Sequence, residues 1–315
     1  VLGMAVYPNY DPQNIDFQEP IVSEKPQRKA QEHRNLAISY LYEPGSVLKP
    51  LTLSAAIDSG KATPETTYHD PGYAVYSGYT IKNWDGKALG SMNLISLLQK
   101  SNNIGAAWVG HLVGREALSS YFRKFGIGAI TGISLEGEEA SPLRNAAEIT
   151  DIDLATMSFG QGILATPLQV LNAFNAIANG GVLYKPRIVS SISDTQGGTD
   201  IEPKEVGRVI KRATADTMVE MLIQAVDGGE SQYFNLKNYL IAGKTGTAQI
   251  AVPGGYDPNK TNATFVGFLP KSNKFSMIVK LREPQSSIYA AETAVPLWME
   301  TAGELAKYYS IAPDR

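Results

Sequence analysis

Ser46 and Lys49 stand three residues apart, a spacing that in a helix sets hydroxyl and amine on one face, one turn apart. An amine so placed can take the hydroxyl proton once its pKa falls, and desolvation in an apolar helix near other cations lowers it. A helix start also offers free backbone N–H groups to a developing oxyanion. Taken alone, the pair is equally served by a capping serine and a lysine reaching solvent, because S-x-x-K arises by chance roughly once in a chain of this length.

Two other polar clusters carry the same ambiguity. Ser101-Asn102-Asn103 interrupts a helical pattern, where side chains can project into a cleft, although an ordinary polar turn has the same composition. Ser91-Met92-Asn93 repeats the S-x-N pattern but precedes an apolar helix, and capping explains it. Lys244-Thr245-Gly246-Thr247 follows the strand-like run Tyr239-Leu240-Ile241-Ala242-Gly243 and continues as strand through Ile250. A glycine inside a strand marks the close approach of a ligand or another chain, and the cation and hydroxyls beside it suit a carboxylate. A β-bulge with a surface lysine is the plain alternative. A phosphate loop at Gly243-Lys244-Thr245 is excluded, since the upstream glycine it requires is Asn238 and no helix start follows.

Composition narrows the chemistry further. The 315 residues include no cysteine, so thiol nucleophiles, disulfides and thiolate metal sites are excluded, and only His33, His69 and His111 supply imidazole. Any nucleophile is therefore an oxygen or a lysine. The net charge of -3 excludes a polybasic nucleic-acid binder. No zinc-protease, hydrolase-elbow or dinucleotide motif occurs, His69-Asp70 reads as a polar turn, and no metal or cofactor is expected. No apolar run approaches 18 residues, and Val1-Leu2-Gly3-Met4 lacks the basic flank of a signal peptide, so the chain reads as soluble.

These clusters need elements to hold them. Pro50 to Ile57 is apolar all round a helical wheel and predicts a buried helix that begins at Ser46 and stops at Ser59-Gly60, with Pro50 in the first turn. A helix capped by Ser91 should run to about Lys100 and another from Ile104 to Gly114. Thr166-Pro167-Leu168-Gln169 has the form of a capping box opening a helix that ends at Gly180-Gly181, and Thr214 to Val226 is a further helix. Tyr239 to Ile250, Asn262 to Leu269 and Phe275 to Leu281 read as an antiparallel meander, covered by a helix over Ala291 to Tyr308, with Val1 to Val6 as a strand alongside. Residues 10 to 35 read as an exposed excursion whose Lys25, Arg28, Lys29 and Arg34 are interleaved with Glu24 and Glu32.

Taken together and in order, Ser46-x-x-Lys49, Ser101-x-Asn103 and Lys244-Thr245-Gly246 form the motif set of penicillin-recognising serine enzymes. Their flanks, Tyr42-Glu43-Pro44-Gly45, Ser158-Phe159-Gly160-Gln161-Gly162 and Ala242-Gly243, resemble class B penicillin-binding proteins over nearly the whole chain. The resemblance implies a transpeptidase domain of α+β class: a five-stranded antiparallel sheet flanked by helices (about 1-10 and 185-315) beside a mostly helical lobe (about 45-180). It implies Ser46 as the acylated nucleophile, Lys49 as its base, Ser101 as the proton relay to the leaving group and Asn103 as a holder of the substrate amide. Lys244, Thr245, Gly246 and Thr247 would bind the terminal carboxylate and shape the site, and the N–H groups of Ser46 and Thr247 would form an oxyanion hole. The substrate implied is the D-Ala-D-Ala end of a peptidoglycan stem peptide, with β-lactams as inhibitors, no nucleic acid, and division or elongation proteins as partners of the whole protein.

The family also leads one to expect an upstream membrane anchor and pedestal domain, absent from this chain, and an extracytoplasmic location. Ala140 in Glu136-Gly137-Glu138-Glu139-Ala140 departs from the glycine more usual there. A D,D-carboxypeptidase or β-lactamase on the same scaffold, and a non-catalytic penicillin-recognising sensor or scaffold, are the competing readings. No E-x-x-L-N element supplies a second carboxylate base for deacylation.

Overall fold

The computed structural model describes residues 1–9, 34–195 and 197–315. All but the last two residues of the expected excursion therefore lie outside the described residues; of those two, Arg34 pairs with Glu139 at 2.8 Å. A one-turn helix α1, Leu36–Ser39, precedes a 3-10 turn, Gly45–Leu48, that runs straight into α2, Lys49–Asp58. Pro50 sits in the first turn of α2, where a missing donor leaves no hydrogen bond unmade, and every residue from Lys49 to Ala56 is buried. A helix without a polar face has to be surrounded, and α2 is the centre of the helical part.

Four short strands follow: β1, Thr67–Asp70, pairs with β4, Gly90–Asn93, while β2, Tyr73–Tyr76, pairs with β3, Tyr79–Lys82. His69-Asp70, expected as a turn, is thus strand, with His69 opposite Ser91 in the β1–β4 ladder. Ser91 accordingly does not cap the next helix, α3, Leu94–Lys100. Asn93 does, accepting from the Ser96 N–H at 2.9 Å, while the Ser96 hydroxyl accepts from the Asn93 N–H at 3.0 Å. The asparagine wins because it directly precedes the first helical residue.

Helices α4, Asn103–Val113, α5, Arg115–Lys124, α6, Asp151–Met157, and α7, Pro167–Ala178, complete this part. The Thr166–Gln169 capping box at α7 forms as expected. Two small ladders then project, β5, Val182–Tyr184, with β8, Glu205–Arg208, and β6, Ser191–Asp194, with β7, Gly197–Asp200. Helix α8, Arg212–Asp227, returns to the core through Met218, Met221 and Leu222.

The last third is the meander: β9, Ala242–Val252, β10, Gly255–Phe268, and β11, Ser276–Arg282, in spatial order β11-β10-β9 and antiparallel throughout. Alternation along β10 divides its faces. Ala263 and Phe265 meet α9, Ala294–Tyr308, in one apolar cluster around Trp298, whereas Val266 and Phe268 join the core of the helical part. Trp298 is fully buried, edge-on to Phe265 at 5.1 Å, and its Nε1–H donates to the Met277 carbonyl.

The α+β class is as expected, but the main sheet has three strands among the described residues, not five. Val1 to Val6 is extended without a ladder partner, because Met4 is drawn to Ile38, Ile133 and Leu168 in a small cluster away from the sheet edge. Among the described residues no helix is long and apolar enough to cross a membrane.

Candidate active site

The Ser46 turn touches both halves of the molecule. Gly246 of β9 lies against it so closely that a β-carbon there would stand 2.9 Å from both the Pro44 carbonyl and Val47 Cγ1. On the other flank Gly160, at φ +83°, brings its carbonyl to the Gly45 N–H at 2.9 Å, and a β-carbon would meet the Gly45 carbonyl at 2.1 Å. The glycine of the strand motif is therefore a contact surface for the turn, not a bulge.

Lys49, entirely buried, directs its Nζ at four oxygens: Ser46 Oγ at 2.9 Å, the Ser101 carbonyl at 2.5 Å, Ser101 Oγ at 3.2 Å and Asn103 Oδ1 at 2.9 Å. Ser101 takes the left-handed conformation, φ +52°, between α3 and α4, which is what turns both its oxygens toward the amine. Lys244, on β9, reaches Ser101 Oγ at 3.1 Å and the Thr245 hydroxyl at 3.0 Å. Ser46, Lys49, Ser101, Asn103, Lys244 and Thr245 thus form one connected polar group, supplied by the 3-10 turn, the start of α2, the α3–α4 break with the first residue of α4, and β9. Thr247 stands at its edge, its hydroxyl accepting from the Ala290 N–H at 3.0 Å.

Burial removes water from both ammonium groups and sets their electrostatics. Desolvation, and then the neighbouring Lys244 charge, holds Lys49 well below the ordinary lysine range, against the opposing pull of Glu230. Lys244 falls to about 8 through burial, again opposed by Glu230. A neutral Lys49 has a lone pair directed at the Ser46 hydroxyl, which is what general-base removal of that proton requires. Lys244, lowered only to about 8, keeps its charge at neutral pH and is a cation that an anionic ligand could meet.

Several residues of the site were not legible from motifs. The Glu230 carboxylate accepts from the Thr245 hydroxyl at 3.1 Å, and nothing in the local sequence distinguishes it from a surface glutamate. Asp70 and Asn83 lie behind Asn103, whose N–H donates to Asn83 Oδ1 at 3.1 Å. Glu43 accepts from the Gly162 N–H at 2.8 Å and the Tyr256 hydroxyl at 3.1 Å, tying the glycine loop to the β9–β10 hairpin, and burial raises its pKa. Trp84 and Tyr289 meet edge to face at 5.8 Å, one from the loop after β3 and the other from the segment beside Thr247. In the Glu136 to Ala140 segment Glu138 accepts from both the Thr131 and Gly132 N–H groups, so the loop closes without a glycine at 140. Among the described residues no cluster of His, Cys, Asp and Glu could hold a metal.

The chain is similar to known proteins over most of its length. Stage V sporulation protein D of Bacillus subtilis is 31% identical over 94% of this chain and 46% of its own length. Peptidoglycan D,D-transpeptidase FtsI of Escherichia coli is 29% identical over 100% of this chain and 50% of its own. The chain thus spans about half the length of these curated relatives. Among solved structures, penicillin-binding protein 3 from Mycobacterium tuberculosis in complex with aztreonam superposes with a TM-score of 0.81 at 30% identity, covering 91% of this chain and 67% of that one. The apo transpeptidase domain of penicillin-binding protein 3 from Burkholderia pseudomallei gives 0.79 at 29%, covering 90% and 84%. The model of the penicillin-binding protein transpeptidase domain matches residues 1–299, and the chain belongs to that family, in its class B branch.

Proposed function

We propose that this chain is the catalytic domain of a peptidoglycan D,D-transpeptidase working through a serine acyl-enzyme. The observation that carries the reading is the 2.9 Å contact between Lys49 Nζ and Ser46 Oγ, made by a buried amine whose pKa is depressed. Neutral Lys49 takes the Ser46 proton as Oγ attacks the penultimate D-Ala carbonyl of a stem peptide. The tetrahedral oxyanion faces the N–H groups of Ser46 and Thr247, and losing one such donor costs about 3 to 4 kcal/mol. The C–N bond then breaks, and the proton passes through Ser101 to the departing D-Ala amine. An amine of a second stem peptide attacks the ester, the C–O bond breaks, and Ser46 regains its proton as the cross-link forms.

In this scheme Asn103 holds the substrate amide, and Lys244 with Thr245 and Thr247 holds the terminal carboxylate, with Gly246 giving the backbone room to approach. β-Lactams acylate Ser46 by the same first step, and the ring-opened drug has no leaving amine to depart. The substrate lies outside the cytoplasm, so the domain works there, within a longer protein that division or elongation partners contact.

The deciding measurement is the intact mass after incubation with ampicillin, followed by incubation with a stem-peptide donor and an acceptor amine. A lasting one-drug adduct on the wild type, absent from Ser46→Ala, together with an amine-dependent product, is the expected result. Drug consumption without an adduct would replace transfer by hydrolysis, and an adduct without any amine product would leave a sensor.

A further inference from the structure

Asp70 is a fully buried carboxylate with no cation paired to it among the described residues. Its oxygens accept three N–H groups instead: Gly72 N at 2.8 Å, Asn83 Nδ2 at 2.7 Å and Asn102 Nδ2 at 2.5 Å. Burying an uncompensated charge is costly, and an apolar side chain would fill the same space more cheaply, so this one calls for a reason. The reason lies in what a carboxylate cannot do. It accepts only, so both asparagines must turn their NH2 groups toward it, and each amide's oxygen then points the opposite way.

Those two oxygens do specific work. Asn102 Oδ1 accepts from the Gly105 N–H at 2.6 Å and so opens α4. Asn83 Oδ1 accepts from the Asn103 N–H at 3.1 Å, and its Nδ2 also donates to the Lys87 carbonyl at 3.0 Å. Asn103 is thereby fixed at its backbone, while its side chain spans from the Lys82 carbonyl, at 3.1 Å, to Lys49. Three segments distant in sequence, β1, the loop after β3 and the α3–α4 break, meet at this one carboxylate.

We propose that Asp70 is a positioning residue: by fixing the amide orientation of Asn83 and Asn102 it holds Asn103 and Ser101 in place against Lys49. It touches no substrate and acts only through these amides. Asp70→Leu, of similar length and without an acceptor, leaves both NH2 groups unpaired, and pairing them elsewhere means turning Asn102 or Asn83, which forfeits the α4 cap or the hold on Asn103.

The inference deepens the acyl-enzyme reading, and its test has one arm that does not depend on that reading. The expected result for Asp70→Leu is amide hydrogen exchange faster by about tenfold or more at Asn103 and Gly105, with α9 and the sheet unchanged. Acylation of Ser46 by ampicillin should slow by about ten- to a hundredfold, the scale of small misplacements in an active site. Asp70→Asn is the control: with its oxygen turned to Asn83 and Asn102 and its NH2 to the Gly72 side it keeps both amides oriented, so its exchange and acylation should lie closer to the wild type than those of Asp70→Leu. If the wild type is not acylated, the acyl-enzyme reading fails and the exchange arm decides this inference by itself. Unchanged exchange at Asn103 and Gly105 would overturn it. If Asp70→Leu does not fold, the smaller Asp70→Ala takes its place, and unchanged exchange at Asn103 and Gly105 there would do the same.

Discussion

Two regions of this molecule each bury a lysine amine, and they differ in what surrounds it. In the helical part, Lys49 meets four oxygens, one of them the Ser46 hydroxyl. On the sheet, the Lys280 amine lies 3.9 Å from the Tyr40 ring centre and 5.3 Å from that of Tyr42. Burial, with Arg282 close by and Glu283 opposing, lowers Lys280 to about 7. Both amines are therefore pulled below the ordinary lysine range, yet no hydroxyl nucleophile stands within hydrogen-bond reach of Lys280 among the described residues. A depressed pKa supplies the base, and only geometry supplies the reaction.

The comparison breaks most sharply under substitution of the two lysines. Lys49→Ala should slow ampicillin acylation of Ser46 by about a thousandfold, within the range of lost general-base catalysis, whereas Lys280→Met should leave that rate within about twofold. Stopped-flow acylation of the two variants side by side measures this, and similar losses in both would mean that the contact at 2.9 Å is not what matters.

A smaller effect sharpens it. Glu230 raises the pKa of both Lys49 and Lys244, so Glu230→Gln should lower both further. The acid limb of the acylation rate, set by loss of the Lys49 proton, should then move to lower pH. Acylation rates across a pH series measure the shift, and a limb that stays in place or moves upward contradicts it. No comparable shift is expected from Glu283→Gln, whose carboxylate faces Lys280.

The smallest effect is on stability. An unfolded lysine keeps its proton up to about 10.4, while folded Lys280 releases it near 7. The unfolded chain therefore binds the extra proton between those values. The penalty for charging Lys280 is complete below about pH 7 and fades as pH rises toward the unfolded value. Lys280→Met should consequently raise Tm most at pH 6 and flatten the rise of Tm with pH between 7 and 10; equal gains at all pH values would point to packing alone.

What the sequence disclosed, and what it withheld, follows from the reach of the interactions. Ser46 with Pro50, the Thr166–Gln169 box and the β9–β10–β11 meander were readable because each is decided within a few residues. The motif residues assemble as a connected group for the same reason, since each motif brings its own local geometry. His69-Asp70 was misread as a turn because the partners of Asp70 are Asn83 and Asn102, which local composition cannot announce. Glu230 escaped notice likewise, its partner Thr245 being fifteen residues on and in another element. The fourth strand failed because the apolar run Val1 to Val6 predicts an extended chain but not a neighbour to pair with, and the fifth was implied by the resemblance alone.

The pinch of the Ser46 turn between Gly246 and Gly160 bears on how such a protein can vary. At that joint the gap between the two halves is gauged by main-chain atoms and a single Val47 methyl, so changes in side-chain size elsewhere are not passed on to the nucleophile. Mutational tolerance should therefore be sharply discontinuous along β9, nearly nil at position 246 and free a few residues on, where Ala251 and Val252 face solvent. A sequence can drift far around such a joint and still bring the hydroxyl to the same place.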